Sequence, residues 1–122
     1  MRQIFFYQLP SGEKPVEEFL NSLNGKQAQK IVWVLRLIEE LAVVPPQYFK
    51  KLVNTDGIWE ARAGYGGEIF RILGFFEVPE RLILTNGFKK KQQKTPQQEI
   101  DLATRRKREH LLRQQRKGKD HE

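Results

Sequence analysis

The apolar residues of the segment 26–43 recur at helical spacing, and this pattern constrains the fold more than any other feature of the sequence. The stripe predicts an amphipathic helix that packs one face on a core, and the following pair of prolines ends it. Pro15 suits the first turn of a shorter helix, which Asn24 and Gly25 close. The two segments therefore predict a helical hairpin.

Segments with the composition of β-strands flank this hairpin. Residues 2–9 are rich in aromatic side chains and predict a first strand. Segments 57–63, 68–76 and 81–85 are separated by short turns, and short connections join antiparallel neighbours. We therefore expect an α+β fold, in which an N-terminal strand and the helical hairpin pack on a small twisted antiparallel sheet.

The chain changes character after the last of these strands. Residues 86–91 indicate a basic loop. Thr95 and Gln98 fit a capping box, which predicts that a C-terminal basic helix begins there. We expect one domain over residues 1–104, followed by a basic helix end or tail over residues 105–122.

The basic residues are unevenly distributed along the chain. Residues 1–85 contain 10 basic and 10 acidic residues, whereas residues 86–122 contain 12 basic and 5 acidic ones. The formal net charge of +7 therefore comes from the last third of the chain. A neutral body with a positive site and tail is the layout expected of a protein that binds a polyanion.

Composition excludes several classes of protein. The chain has no cysteine, which excludes disulfides, thiolate catalysis and zinc–thiolate sites. Both histidines lie in the polar tail, which argues against a histidine metal cluster. The apolar runs are far shorter than the roughly 20 residues that span a bilayer, and the N-terminus lacks a signal-peptide pattern. We expect a cytoplasmic protein that needs no membrane, metal or cofactor.

Two arginines are predicted to lie side by side on the sheet. Side chains alternate along a strand, so Glu60 and Arg62 share one face and Arg71 lies on the matching face of the next strand. Because the helices would cover the other face, we expect this face to be open. Two neighbouring guanidinium groups repel unless an anion lies between them, and either Glu60 or a bound phosphate would serve. A solvated salt-bridge network is the alternative interpretation.

Three motifs follow one another in the second half of the chain: GIWEAR at 57–62, FRIL at 70–73 and GFKKKQQKTPQQEI at 87–100. In order and spacing this combination resembles the RelE/HigB superfamily of bacterial toxins, and most of all its phage-derived HigB-like branch. The resemblance extends from about residue 2 to residue 105. It implies a RelE-like fold and the toxin half of a type II toxin–antitoxin pair, commonly a ribosome-dependent mRNA endonuclease that inhibits translation.

The chemistry that the resemblance implies is independent of metal. The ribose 2′-hydroxyl attacks the neighbouring phosphate and leaves a 2′,3′-cyclic phosphate and a 5′-hydroxyl end. Fixed cations would stabilise the negative charge that develops on the phosphorane. By the resemblance, Arg62 and Arg71 match positions that contact the scissile phosphate, and Lys89 and Lys90 match the basic segment after the last strand. The resemblance therefore implies four catalytic residues: Arg62, Arg71, Lys89 and Lys90. We expect four more to bind RNA: Lys91, Lys94, Phe88 and Glu60.

The general acid and base are not identified by the sequence. Many members of the superfamily carry a histidine near the end of the last strand, where this chain has residues 86–88, Asn-Gly-Phe. A lysine acts as a base only if neighbouring cations depress its pKa. Glu60 either acts as a base or orients Arg62, and we favour orientation. Phe88 either stacks on a base or packs in the core.

Two other functions compete with the endonuclease. A ParE-like inhibitor of DNA gyrase would keep the fold, and a non-catalytic RNA-binding toxin remnant would keep the charge. The paired arginines and the lysine cluster favour the endonuclease, because a gyrase inhibitor needs no pocket that activates a phosphate. The resemblance implies the ribosome, mRNA and a cognate helix-turn-helix antitoxin as partners, and a toxin–antitoxin heterotetramer is one assembly that this pairing allows.

Overall fold

The computed structural model describes residues 1–90 and 93–120, which form a five-stranded mixed sheet with helices on both faces. The order of strands across the sheet is β1-β5-β4-β3-β2. This arrangement confirms the α+β class and the helical hairpin. The elements in chain order are β1 (Gln3–Phe6), α1 (Pro15–Asn21), α2 (Gly25–Glu40), β2 (Phe49–Lys51), β3 (Ile58–Tyr65), β4 (Glu68–Glu77), β5 (Arg81–Lys90) and α3 (Gln97–Asp120).

The predicted antiparallel pairing holds for β3, β4 and β5, and the sheet as a whole is mixed because β1 pairs with β5 in parallel. Short turns force antiparallel pairing only between the strands that they connect, here β3, β4 and β5. The hairpin of α1 and α2 connects β1 to β2, at the opposite edge of the sheet. The direction of β1 beside β5 is therefore not set by a turn.

Strand β5 is twice as long as predicted, and residues 86–90 belong to it rather than to a basic loop. It stays paired with β4 up to the pair formed by Ile69 and Lys90. The pairing shifts between Leu73 and Gly74, which leaves Thr85 as the extra residue of a β-bulge. Gly87 resembles a turn residue in the sequence, but it is needed because a Cβ at this position would overlap the ring of Phe19.

Helix α2 has a defined cap at each end. Asn24 and Gln27 form a capping box at its start. The helix ends at Glu40, before the predicted end at residue 43, because Leu41 adopts an extended conformation. The guanidinium group of Arg2 donates hydrogen bonds to carbonyl oxygens at this end, including that of Leu41 at 2.6 Å. These bonds satisfy carbonyl groups that have no partner within the helix.

The sheet has a buried core on each face. Helices α1 and α2 cover one face, where the buried residues include Val16, Ile31, Val34, Leu35, Ile38, Phe70 and Ile72. Helix α3 covers the other face, where the buried residues are Tyr7, Ile58, Leu73, Phe75, Ile83 and Ala103. The face predicted to be open is therefore covered, because Ile100, Ala103 and Leu111 give α3 an apolar side.

Polar contacts hold α3 against the sheet well beyond Thr104. The Tyr7 hydroxyl donates to Glu109 at 2.7 Å, and burial together with this bond raises the pKa of Tyr7 to about 12. A ring nitrogen of His110 lies 2.6 Å from a carboxylate oxygen of Glu77. The helix passes without a break through the predicted boundary between residues 104 and 105. Within the described residues, no helix is long and apolar enough to cross a membrane.

The bulge predicts that two glycines of the sheet differ sharply in how well they tolerate a side chain. A Cβ at Gly74 would lie 2.6 Å from the backbone oxygen of Ile83, whereas a Cβ at Gly64 would meet Glu68 at an ordinary 3.9 Å. We expect Gly74→Ala to lower the free energy of unfolding by about 1–3 kcal/mol through overpacking. Gly64→Ala is the matched control. Urea denaturation measures both, and equal effects would contradict the close approach at the bulge.

Candidate active site

A cleft of about 760 Å³ opens beside the turn between β3 and β4, at the end of β5. Five of its lining residues are basic, and Glu68 is the single acidic one among those described. We call this feature the cationic cleft. It is lined by Lys50, Arg62, Gly67, Glu68, Ile69, Arg71, Lys89, Lys90 and Gln93.

The register of the sheet brings the two arginines together. Arg62 on β3 lies directly opposite Arg71 on β4, which confirms that they are neighbours. On the other side of Arg71, the opposite residue of β5 is Phe88, so Lys90 projects from the same face. Like charges directly opposite each other destabilise a sheet. An anion must therefore compensate this pair.

Glu60 supplies that anion from within the protein. Its side chain is fully buried, and one carboxylate oxygen, Oε1, lies 2.7 Å from Nη1 of Arg71 and 3.5 Å from Nε of Arg62. The other oxygen, Oε2, accepts a hydrogen bond from the hydroxyl of Thr95. Glu60 thus lies closer to Arg71 than to the expected Arg62, and it does not line the cleft.

Arg71 is almost completely buried, with 2% of its surface exposed, so the expectation of an open site is wrong for this residue. Burial lowers the pKa of Arg71, and the charge of Glu60 opposes that shift. Among the described residues, Nε of Arg71 has no hydrogen-bond partner. Arg62 is more accessible, with 26% of its side chain exposed.

Lys90 is the most perturbed lysine of the cleft. Only 7% of its surface is exposed, and its Nζ has no hydrogen-bond partner among the described residues. Burial lowers the pKa of Lys90 to about 8, and the positive charge of Arg71 contributes to the shift. Glu60 opposes the shift, while Arg62 and Lys50 add to it. This lysine meets the condition for a base that the sequence could not test.

The remaining predicted residues occupy different positions. Lys89 lies at the rim of the cleft, half exposed, with its Nζ 2.9 Å from a carboxylate oxygen of Glu68. Phe88 is partly buried against the core under α3 and does not line the cleft. Lys94 is exposed and is not a lining residue either. Lys91 lies outside the described residues.

Two residues of the site were missed by the sequence analysis. Lys50 lies opposite Glu60 on β2, a strand of three residues that is too short to give a clear alternating pattern. The sequence predicts a helix cap at Thr95, but its hydroxyl donates to Glu60 instead. The sequence signal for Lys50 was a pair of lysines that directly follows aromatic residues, and the signal for Thr95 was a hydroxyl close to the lysine cluster.

Comparison with known families agrees with this architecture. The sequence profile of the family described as Phage derived protein Gp49-like (DUF891) matches residues 18–108. The chain belongs to this family. The match of this Gp49-like protein begins in α1, ends in α3 and includes every lining residue of the cationic cleft. No curated protein matches the chain.

Membership in the Gp49-like family is consistent with a toxin of a toxin–antitoxin system, and such a family implies an antitoxin partner. In the described part of this Gp49-like chain, no group of three or more histidine, aspartate or glutamate side chains could hold a metal ion. The polar side chains that line the cationic cleft carry amines, guanidinium groups, one carboxylate and the amide of Gln93.

The depressed pKa of Lys90 predicts a pH-dependent cost to stability. Between pH 8 and the ordinary lysine pKa of 10.5, the unfolded chain binds the proton and the folded chain does not, so stability rises with pH. At pH 7 we expect Lys90→Met to raise the free energy of unfolding by on the order of 1–3 kcal/mol, because a buried charge is removed.

The Lys90→Met variant should have a higher free energy of unfolding than the unmodified protein at pH 7, and this difference should shrink between pH 8 and pH 10. Urea denaturation at a series of pH values measures it. The exposed Lys94→Met is the matched control, for which we expect no such trend. A constant difference between the Lys90→Met variant and the unmodified protein across this range would contradict the depressed pKa.

Proposed function

We propose that this Gp49-like protein is the toxin of a toxin–antitoxin system and acts as a ribosome-dependent mRNA endonuclease. The observation that carries the proposal is the set of buried donors without partners beside the cationic cleft. Nε of Arg71 and Nζ of Lys90 have no hydrogen-bond partner in the described part of the chain. Buried polar groups are normally satisfied, and an RNA phosphate would satisfy both.

The charge of the cluster also favours a phosphate ligand. Glu60 is the carboxylate buried beneath the cleft, and it faces the guanidinium cations of Arg62 and Arg71 and the amine of Lys90, which becomes a third cation when it takes up a proton. One carboxylate leaves this group with an excess of positive charge. A phosphodiester brings one negative charge, and the phosphorane formed from it brings more. The cluster is therefore better matched to the transition state than to the substrate, which is the requirement for catalysis.

The proposed reaction needs no group from outside the chain. The 2′-oxygen of the ribose forms a bond to phosphorus, and the bond from phosphorus to the 5′-oxygen breaks. Neutral Lys90 accepts the proton of the 2′-hydroxyl, and Arg62 and Arg71 stabilise the phosphorane. Lys89 at the rim stabilises the leaving 5′-oxygen, which takes up a proton from water, and protonated Lys90 returns its proton to water. The products are a 2′,3′-cyclic phosphate and a 5′-hydroxyl end.

The end of α3 is proposed to bind RNA backbone outside the cleft. Arg105, Arg108 and Arg116 are exposed and lie on one side of the helix at helical spacing. None of them forms an ion pair with another described residue. Exposed guanidinium groups bind phosphate well, so the segment 105–122 fits docking to ribosomal RNA. A helix-turn-helix antitoxin would act by blocking the cleft or this helix.

Cleavage of mRNA on translating ribosomes tests the proposed function. Arg62→Ala removes a cation from the phosphate site, and we expect it to lower the cleavage rate by about 10²-fold, as loss of one transition-state donor does. Arg71→Lys tests the buried guanidinium while keeping its charge. Lys51→Ala, on the strand that carries Lys50 but outside the lining of the cleft, should cleave like the unmodified protein.

Each alternative function predicts a different result. Growth arrest with intact mRNA and inhibited DNA supercoiling would replace the endonuclease with a gyrase inhibitor. Salt-dependent RNA binding without cleavage would identify a non-catalytic remnant. Primer extension on ribosome-bound mRNA and a supercoiling assay distinguish the endonuclease, the gyrase inhibitor and the non-catalytic remnant.

The pKa of Lys90 predicts the pH dependence of cleavage. The basic form is the neutral amine, so kcat/KM, which reports the pKa values of the free protein, should rise about tenfold per pH unit below a pKa of about 8 and level off above it. Lys90→Arg should abolish this rise of the rate with pH, together with most of the activity. Lys51→Arg is the matched control and should keep the profile. A rate independent of pH between 6.5 and 8.5 would exclude Lys90 as the base.

A further inference from the structure

The hydroxyl of Thr95 has a partner that its position in the sequence does not explain. Thr95 lies two residues before Gln97, the first residue of α3, and a hydroxyl at the start of a helix normally accepts a hydrogen bond from the backbone of the first turn. Here it donates to Oε2 of Glu60, across 35 residues of sequence, and 9% of the threonine is exposed. The hydroxyl is therefore directed to the buried charge cluster rather than to its own helix.

This bond changes how Glu60 and Arg71 pair. A carboxylate and a guanidinium group commonly form two parallel hydrogen bonds. Here Arg71 donates one bond, from Nη1 to Oε1 at 2.7 Å, while Thr95 occupies Oε2. Nε of Arg71 has no hydrogen-bond partner among the described residues. The second oxygen of the carboxylate thus bonds to the threonine, and Arg71 makes no hydrogen bond to it.

We propose that Thr95 is a positioning residue, whose hydroxyl occupies one oxygen of Glu60 and so leaves N–H groups of Arg71 available to an RNA phosphate. This inference rests on the proposed function in one respect, the binding of phosphate in the cationic cleft. Without the hydroxyl, the buried oxygen would lose its partner, and an unsatisfied buried oxygen is costly. Arg71 already donates to the other oxygen of Glu60, and a two-bond pair with Glu60 would draw it away from the cleft.

Three variants of the full-length protein test this role. Thr95→Val keeps the shape of the side chain and removes the hydroxyl, and Thr95→Ser restores the hydroxyl. Thr104→Val is the matched control, because the Thr104 hydroxyl donates within α3 to the backbone oxygen of Ile100. Thermal unfolding of each variant establishes that the fold is kept before the other measurements are made.

The first readout does not depend on cleavage. In an NMR titration with inorganic phosphate, followed at the Nε–H signal of Arg71, we expect Thr95→Val to bind phosphate at least fivefold more weakly than the unmodified protein. Thr95→Ser and Thr104→Val should bind like the unmodified protein. In the absence of phosphate, the Nε–H signal of Arg71 should shift in Thr95→Val alone, because this N–H gains a carboxylate partner.

The second readout is cleavage of ribosome-bound mRNA. We expect Thr95→Val to lower kcat at least tenfold with a smaller change in KM, because Arg71 acts most strongly on the charge of the transition state. Thr95→Ser should recover kcat to within about twofold. If the unmodified protein binds phosphate but does not cleave, the proposed function fails while the phosphate titration still decides the role of Thr95.

Three results would overturn the inference. The first is phosphate affinity in Thr95→Val equal to that in Thr104→Val. The second is a failure of Thr95→Ser to restore the affinity that Thr95→Val loses. The third is an Arg71 signal that does not respond to phosphate in the unmodified protein, which would show that its N–H groups are not available to an anion.

Discussion

The ion pair between Glu60 and Arg71 is the interaction on which the rest of the structure depends. The pairing of β3 with β4 places two guanidinium groups opposite each other on a face that α3 covers. Without an anion, their repulsion in a poorly solvated layer would oppose both the strand register and the packing of α3. A buried carboxylate is itself costly and is tolerated only when its oxygens are well paired. Both oxygens of Glu60 are paired, one with Arg71 and one with Thr95.

Helix α3 links the stability of the fold to the chemistry of the cleft. Its Ala103 packs in one core with Leu73 and Phe75 of the sheet, and Thr95, just before the helix, bonds to Glu60 in the buried base of the charge cluster. Loss of water raises the strength of every charge–charge interaction there. It also accounts for the largest part of the shift in the pKa of Lys90. A cleft on a bare sheet would hold the same residues with much weaker effects on one another.

The parts of the fold that follow from simple geometry could be predicted from sequence. Side chains alternate between the two faces of a strand, so the sequence correctly predicts that Arg62 and Arg71 lie side by side on one face. The length of β5 could not be predicted, because Asn86 and Gly87 resemble a turn, and the contact with Phe19 that requires glycine is visible only in three dimensions. The burial of the site was missed because the apolar residues of α3 are few and lie among charged ones. Lys50 was missed because three residues are too few to show a period.

Alternation also gives two adjacent lysines different environments. Lys89 and Lys90 project from opposite faces of β5, so one lies half exposed beside Glu68 and the other lies almost buried beside Arg71. The chain lacks a histidine near the end of this strand, and a base needs a pKa near the pH at which it works. Burial next to cations brings an amine into that range without any change of residue type. In the proposed reaction, the lysine that faces the arginines therefore takes the proton, and its neighbour contributes charge at the rim.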